Sequence, residues 1–181
     1  MTARSLTTVG AVLLASMVAT ATGSKLLHPW KSRPRLIYNV SGSAPLGFYW
    51  IDFAAPKRGD LVVIRPSADL STFMSEHDIL PIGAVLLKTV VALAGDEICH
   101  DRSVLIVNGR ASAKLLHTDA QGRSLPAWQG CRKLVTGEIF VLQPHQNSFD
   151  SRYFGPVQER EVVGVARSIR AWSLADPAPI Q

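Results

Sequence analysis

The segment from Ile82 to Ala94, IGAVLLKTVVALA, carries a single charged residue, Lys88, inside an otherwise apolar run. A run of this character reads as a strand covered on both faces, and a lysine within it must either bury its amine or lead it out to water. Burial strips hydration from the ammonium and lowers its pKa by up to several units, which brings a neutral amine, and so a base, within reach of physiological pH. The competing reading is a strand edge from which the aliphatic stem snorkels into solvent. What separates the two is whether the rest of the chain supplies a group for a base to deprotonate.

Composition narrows the setting. The chain has 181 residues, 47% hydrophobic and 18% charged, which suits one globular domain with a sizeable core and argues against disorder. The net charge is +5, yet the basic residues are scattered apart from Lys31, Arg33 and Arg35, so no nucleic-acid partner is expected. Two cysteines, Cys99 and Cys131, match no zinc-ligand spacing and are too few for a disulfide framework; they can form one bond or remain thiols. The five histidines lack H-x-x-x-H spacing, and a P-loop, a dinucleotide fingerprint and an S-x-x-K motif are absent, so neither metal nor cofactor is expected.

Residues 1–24 form an N-terminal signal or membrane anchor in this reading. No charge falls between Ser5 and Ser24, which is long enough for one hydrophobic helix across a bilayer. Arg4, the apolar Val9–Val18 and the small-x-small Ala19-Thr20-Ala21 equally describe a cleavable signal. Either implies export. A linker with Pro29 and Pro34 follows, and the domain is expected over residues 30–175.

Within it, LIYNV and LGFYWI flank a turn rich in Gly, Ser and Pro; GDLVVIRP is entered from a Gly-Asp turn; Ser67 to Ile79 is a loop or one short helix. GDEIC precedes VLIVNGR, whose Asn108-Gly109 pair is a strong hairpin signal, residues 111–133 read as an irregular surface excursion, and GEIFVLQP and REVVGVARSIRAWSL supply the last strands. Many short strands joined by such turns imply a mainly β, antiparallel, barrel-like domain.

Ser43 is set apart from the other serines by its turn. Gly42 and Pro45 can fix a backbone that presents the hydroxyl and leaves the Ser43 amide free for an oxyanion, with the Ser41 hydroxyl as a further donor. A Ser-Gly-Ser stretch is equally an ordinary turn. A serine-histidine-aspartate arrangement is the competing chemistry, since His145 and Asp150 share a polar loop able to meet Ser43.

Four stretches, Ser41-Gly42-Ser43-Ala44-Pro45 with Gly47 and Tyr49, Gly59-Asp60-Leu61-Val62, Lys88-Thr89-Val90-Val91 with Gly95-Asp96, and Asn147 through Gly155, occur in the order seen in the serine-lysine signal peptidase family. The resemblance spans roughly residues 36–166. The motif Ser43-Ala44-Pro45-Leu46-Gly47-Phe48-Tyr49 most resembles the TraF-type branch of conjugative transfer systems. Leu142-Gln143-Pro144-His145, where housekeeping signal peptidases carry a Gly-Asp-Asn pattern, departs from general preprotein processing.

The resemblance implies a serine endopeptidase with Ser43 as nucleophile and Lys88 as general base, oxyanion donors at the Ser43 amide and Ser41 hydroxyl, Ser148 orienting the lysine, and Asp150 with Arg152 as a supporting ion pair. It implies a signal-peptidase catalytic domain acting in the periplasm, exported and held at the inner membrane. Its substrate would be the pilin precursor of a conjugative transfer (type IV secretion) machinery, in some systems cyclised instead of hydrolysed. Cys99 and Cys131 fit an exported protein as a disulfide, with two unpaired thiols the alternative. Two other readings are a non-catalytic exported β-domain scaffolding the transfer channel, and a self-cleaving repressor; the latter needs a DNA-reading helix pair that residues 1–35 do not contain.

Overall fold

A computed structural model describes residues 35–172 except 102 and 120. The hydrophobic helix expected within residues 1–24 lies outside the described residues, as do both ends of the domain expected over 30–175. Among the described residues no helix is long and apolar enough to cross a membrane.

Among the described residues, eleven strands, two short α-helices and one 3-10 turn (Glu159–Glu161) follow one another. They are β1 (Leu36–Asn39), β2 (Leu46–Asp52), β3 (Leu61–Ile64), α1 (Ala68–Glu76), β4 (Leu86–Ala92), β5 (Glu97–Asp101), β6 (Val104–Val107), β7 (Arg110–Lys114), β8 (Gly130–Lys133), β9 (Glu138–Leu142), α2 (Ser151–Phe154), β10 (Val157–Gln158) and β11 (Val162–Trp172). Seven form one antiparallel sheet in the order β1-β2-β11-β3-β4-β9-β10, curled into a half-barrel, and β7-β6-β5-β8 form a second, smaller sheet. The mainly β, antiparallel architecture implied by the turn signals is the one adopted.

Local chemistry explains the joints. Asn108 (φ 50°) and Gly109 (φ 75°) both take the left-handed conformation of a tight two-residue hairpin between β6 and β7. Ser67 caps α1, its Oγ accepting from the Leu70 amide, so the polar stretch after β3 is a helix. Gly164 lets β11 lie against β2: a Cβ there would come 2.6 Å from the Asp52 carbonyl oxygen. The irregular excursion expected over 111–133 is shorter than that, since residues 111–114 belong to β7, paired with β6, and 130–133 form β8, whose ladder with β5 sets Cys99 opposite Cys131 in a disulfide.

Strand β4 lies between β3 and β9 in the large sheet. Leu86 and Val90 pack with Met74 of α1, Val141 of β9 and Phe149, whereas Leu87 packs on the opposite side with Ala44, Tyr49 and Val63. Side chains alternate along a strand, so Lys88 shares the face of Leu86 and Val90 and is directed into the core.

Candidate active site

Lys88 stands opposite Val62 on β3 and is 3% exposed. The snorkelling alternative therefore does not apply. Its Nζ donates to Ser148 Oγ at 2.7 Å and reaches Ser43 Oγ at 3.4 Å. Burial is the main cause that pushes the amine down to about 8; the negative charge of Asp150 opposes this and the positive charge of Arg152 assists it. At pH 7, roughly a tenth of such an amine is neutral, a far larger fraction than for a solvated lysine.

Ser43 sits on the turn between β1 and β2. Its hydroxyl lies 3.0 Å from that of Ser41, and its amide approaches Ser41 Oγ at 3.4 Å. The turn thus gathers two hydroxyls and one loosely engaged amide N–H beside the lysine amine. Chemically, a neutral amine at that position can take the proton of the Ser43 hydroxyl, and the amide with the Ser41 hydroxyl can stabilise negative charge formed next to it.

The loop after β9 brings up the other side. Ser148 is buried, its amide donating to the His145 carbonyl at 3.0 Å. Asp150 is fully buried and Arg152 nearly so. Arg152 Nε donates to Asp150 Oδ1 at 2.8 Å and Nη2 to Oδ2 at 3.0 Å, while the guanidinium also donates to the carbonyls of Gln143, Gln146 and Lys114. The Asp150 carboxylate further accepts from the Gln143 amide and caps α2 through the Arg152 amide. One buried ion pair therefore ties the end of β9, the Ser148 loop, α2 and the end of β7 together.

The competing triad is not assembled. His145 is exposed, its Nδ1 accepting from the Asn147 amide, and both Asp150 oxygens are engaged by Arg152. Among the described residues no group of three His, Cys, Asp or Glu is placed to hold a metal ion.

Two residues of the site escaped the sequence reading. Gln143 donates from Nε2 to the Leu87 carbonyl at 3.2 Å and so braces the strand residue before Lys88; nothing in its sequence context signals this. Asn39, last in β1, bonds the backbone of the Ser43 turn through both ends of its side-chain amide. An asparagine at the mouth of a turn is a recognisable signal for side-chain to backbone bonding.

A cleft of about 430 Å³ opens onto Ser43, Lys88 and Ser148. Its walls are β1 residues Ile37 and Tyr38 on one side and residues 84–87, where β4 begins, on the other. Among the described residues β1 is the terminal strand of the large sheet.

A family model described as signal peptidase, peptidase S26, matches residues 4–172. The chain is 29% identical over 174 residues to plasmid transfer protein TraF of Escherichia coli, covering 90% of this chain and 92% of that protein. It is 33% identical over 171 residues to the probable conjugal transfer protein TraF of Sinorhizobium fredii (strain NBRC 101917 / NGR234), covering 88% of each. A shorter match, 36% over 96 residues, is to signal peptidase I V of Bacillus subtilis (strain 168), covering 47% of this chain and 57% of that protein.

Proposed function

Because this chain belongs to the signal peptidase family of S26 peptidases, we propose that it is a serine endopeptidase acting in a conjugative transfer system, with Ser43 as nucleophile and Lys88 as general base. The observation that carries this reading is a buried amine, held near pKa 8, within 3.4 Å of a turn hydroxyl. Neutral Lys88 accepts the Ser43 proton as Oγ attacks the scissile carbonyl, then returns it to the leaving amine. The Ser43 amide and Ser41 hydroxyl bond the oxyanion, and the Ser148 hydroxyl fixes the direction of the amine. Asp150 and Arg152 are structural.

The substrate is an extended peptide that lies along β1 and the beginning of β4, its side chains seated in the cleft. The relatives named for plasmid and conjugal transfer support a role in a conjugative transfer system, and within it the substrate we propose is the pilin precursor of the mating apparatus. The acyl-enzyme is resolved by water or, in a cyclising system, by the pilin's own terminal amine. The periplasm, with residues 1–24 as signal or inner-membrane anchor, is the site of action; the Cys99–Cys131 disulfide suits that oxidising compartment.

The deciding experiment is mass spectrometry of the pilin precursor co-expressed with this protein. Processing is expected with the wild type and lost in Ser43→Ala, Lys88→Ala and Lys88→Arg, since a guanidinium stays protonated. Binding of the precursor without any mass shift would favour the non-catalytic scaffold instead.

A further inference from the structure

The turn that carries Ser43 is poorly supported by its own backbone. Asn39 pairs with Gly47 where the β1–β2 ladder ends. Between them one turn hydrogen bond forms, from the Ala44 amide to the Ser41 carbonyl, and it is long at 3.4 Å. A Gly- and Ser-containing loop with so little backbone bonding has many conformations open to it.

The Asn39 side chain supplies what the backbone lacks. Its Oδ1 accepts from the Ser41 amide at 3.1 Å, and its Nδ2 is shared among the carbonyls of Ser41, Ala44 and Pro45 at 2.9, 3.1 and 3.0 Å. Asn39 is 8% exposed, and its bond to the Ala44 carbonyl is buried, while those to Ser41 and Pro45 are part-buried. Tyr49, buried on β2, adds a second tie from its hydroxyl to the Pro45 carbonyl at 2.7 Å. The carbonyls of the turn are thereby gathered onto Asn39, while the Ser43 amide is left with only its 3.4 Å approach to Ser41 Oγ.

The two reacting groups differ in how firmly they are held. Lys88 is anchored within a strand flanked by two others, but Ser43 rides on the turn. At 3.4 Å the Ser43–Lys88 separation already stands at the outer limit of a hydrogen bond, so a small displacement of the turn abolishes proton transfer. We infer that Asn39 is the positioning residue of this site, setting the distance from Ser43 Oγ to Lys88 Nζ and keeping the Ser43 amide available to an oxyanion. The inference rests on the Ser43–Lys88 reading. Asn39 touches neither the amine nor the hydroxyl and takes no proton itself.

The test uses Asn39→Ala and Asn39→Asp in the full chain. Aspartate keeps the shape and the Oδ1 acceptor but lacks the Nδ2 donors. Steady-state cleavage of the pilin precursor is expected to show kcat reduced about 30-fold or more with KM changed less than about threefold, the signature of a lost transition-state interaction. For Asn39→Ala the rise of activity through about pH 8 stays in place, because Lys88 is untouched. A substrate-free arm is a crystal structure of Asn39→Ala, in which Ser43 Oγ is expected to withdraw beyond about 4 Å from Lys88 Nζ. Three results overturn the inference: kcat within threefold of wild type, a pH midpoint that moves in Asn39→Ala, or a turn that keeps its wild-type distance. If instead Ser43→Ala still cleaves, the reading of the site itself falls, whatever Asn39 does.

Discussion

Arg152 holds both carboxylate oxygens of Asp150, Nε on Oδ1 at 2.8 Å and Nη2 on Oδ2 at 3.0 Å, with neither residue more than 2% exposed. Asp150 lies two residues from Ser148, the direct partner of Lys88, so its charge reaches the lysine amine and favours the ammonium. Arg152 favours the neutral amine. A carboxylate is thus stationed near the proposed base while the amine still stands near 8, because burial, the larger cause, and the charge of Arg152 together outweigh it.

Removing one member alone exposes that balance. Arg152→Gln is expected to cost about 3–5 kcal/mol in urea unfolding, the usual penalty for leaving a buried charge unpaired. The acid limb of its activity profile should move to higher pH as Asp150 acts unopposed on Lys88. Adding Asp150→Asn should recover part of the stability, and a double-mutant cycle measures how much. Equal stability of the single and double variants would show that the carboxylate is not what the arginine compensates.

Lys88 sets a pH dependence of both activity and stability. The neutral amine is the proposed active form, so kcat/KM should climb as pH rises through about 8 and level off above it. For stability, the folded pKa lies below the unfolded 10.5, so between pH 8 and 10.5 the unfolded chain binds more protons and stability rises with pH. Below pH 8 both states are protonated and the penalty of the buried charge is fully present. Lys88→Met should therefore be inactive yet more stable at pH 7, by about 1–2 kcal/mol after loss of the Ser148 hydrogen bond is allowed for. Chemical denaturation at pH 7 and pH 10 checks both signs.

His100 should weaken the fold in acid. It is 3% exposed, its ring lies 5.2 Å from that of Trp128, and among the described residues neither its nitrogens nor Trp128 Nε1 has a hydrogen-bond partner. Burial pushes its pKa below 6.5, nearby His117 adds to that, and Asp101 opposes it. The unfolded chain then takes up a proton more readily than the folded one, so stability falls as pH drops below about 6.5 and the loss is complete below the folded pKa. Melting curves between pH 7.5 and 5 should show a smaller fall in Tm for His100→Phe than for wild type.

The disulfide should matter to stability and not to chemistry. Cys99 and Cys131 are 32 residues apart in sequence and join β5 to β8 in the smaller sheet, whereas Lys88 lies in the larger one and Ser43 on the turn between two of its strands. Replacing both cysteines with serine is expected to cost about 3–4 kcal/mol in the loop-entropy model. Turnover at 25 °C should stay within about twofold of wild type; a large loss of kcat would mean that the smaller sheet helps to hold the site.

Much of this protein is written in its local sequence. Apolar runs punctuated by Gly-Asp and Asn-Gly demand short antiparallel strands, because a turn residue at positive φ and an alternating side-chain pattern act over a few residues and need no distant partner. The isolation of Lys88 in an apolar run is likewise a local fact, as is the Ser-Gly-Ser-Ala-Pro turn. Tertiary structure decided what these pieces meet. That Lys88 faces the core and not an edge, that Asp150 is consumed by Arg152 and not offered to His145, and that Asn39 and Gln143 brace the surroundings of Ser43 and Lys88 all depend on residues 45 to 60 positions apart or on the exact path of a loop. The identity of a side chain states what it can donate or accept, but only the folded backbone determines which partner arrives within 3 Å and whether water is still there to compete.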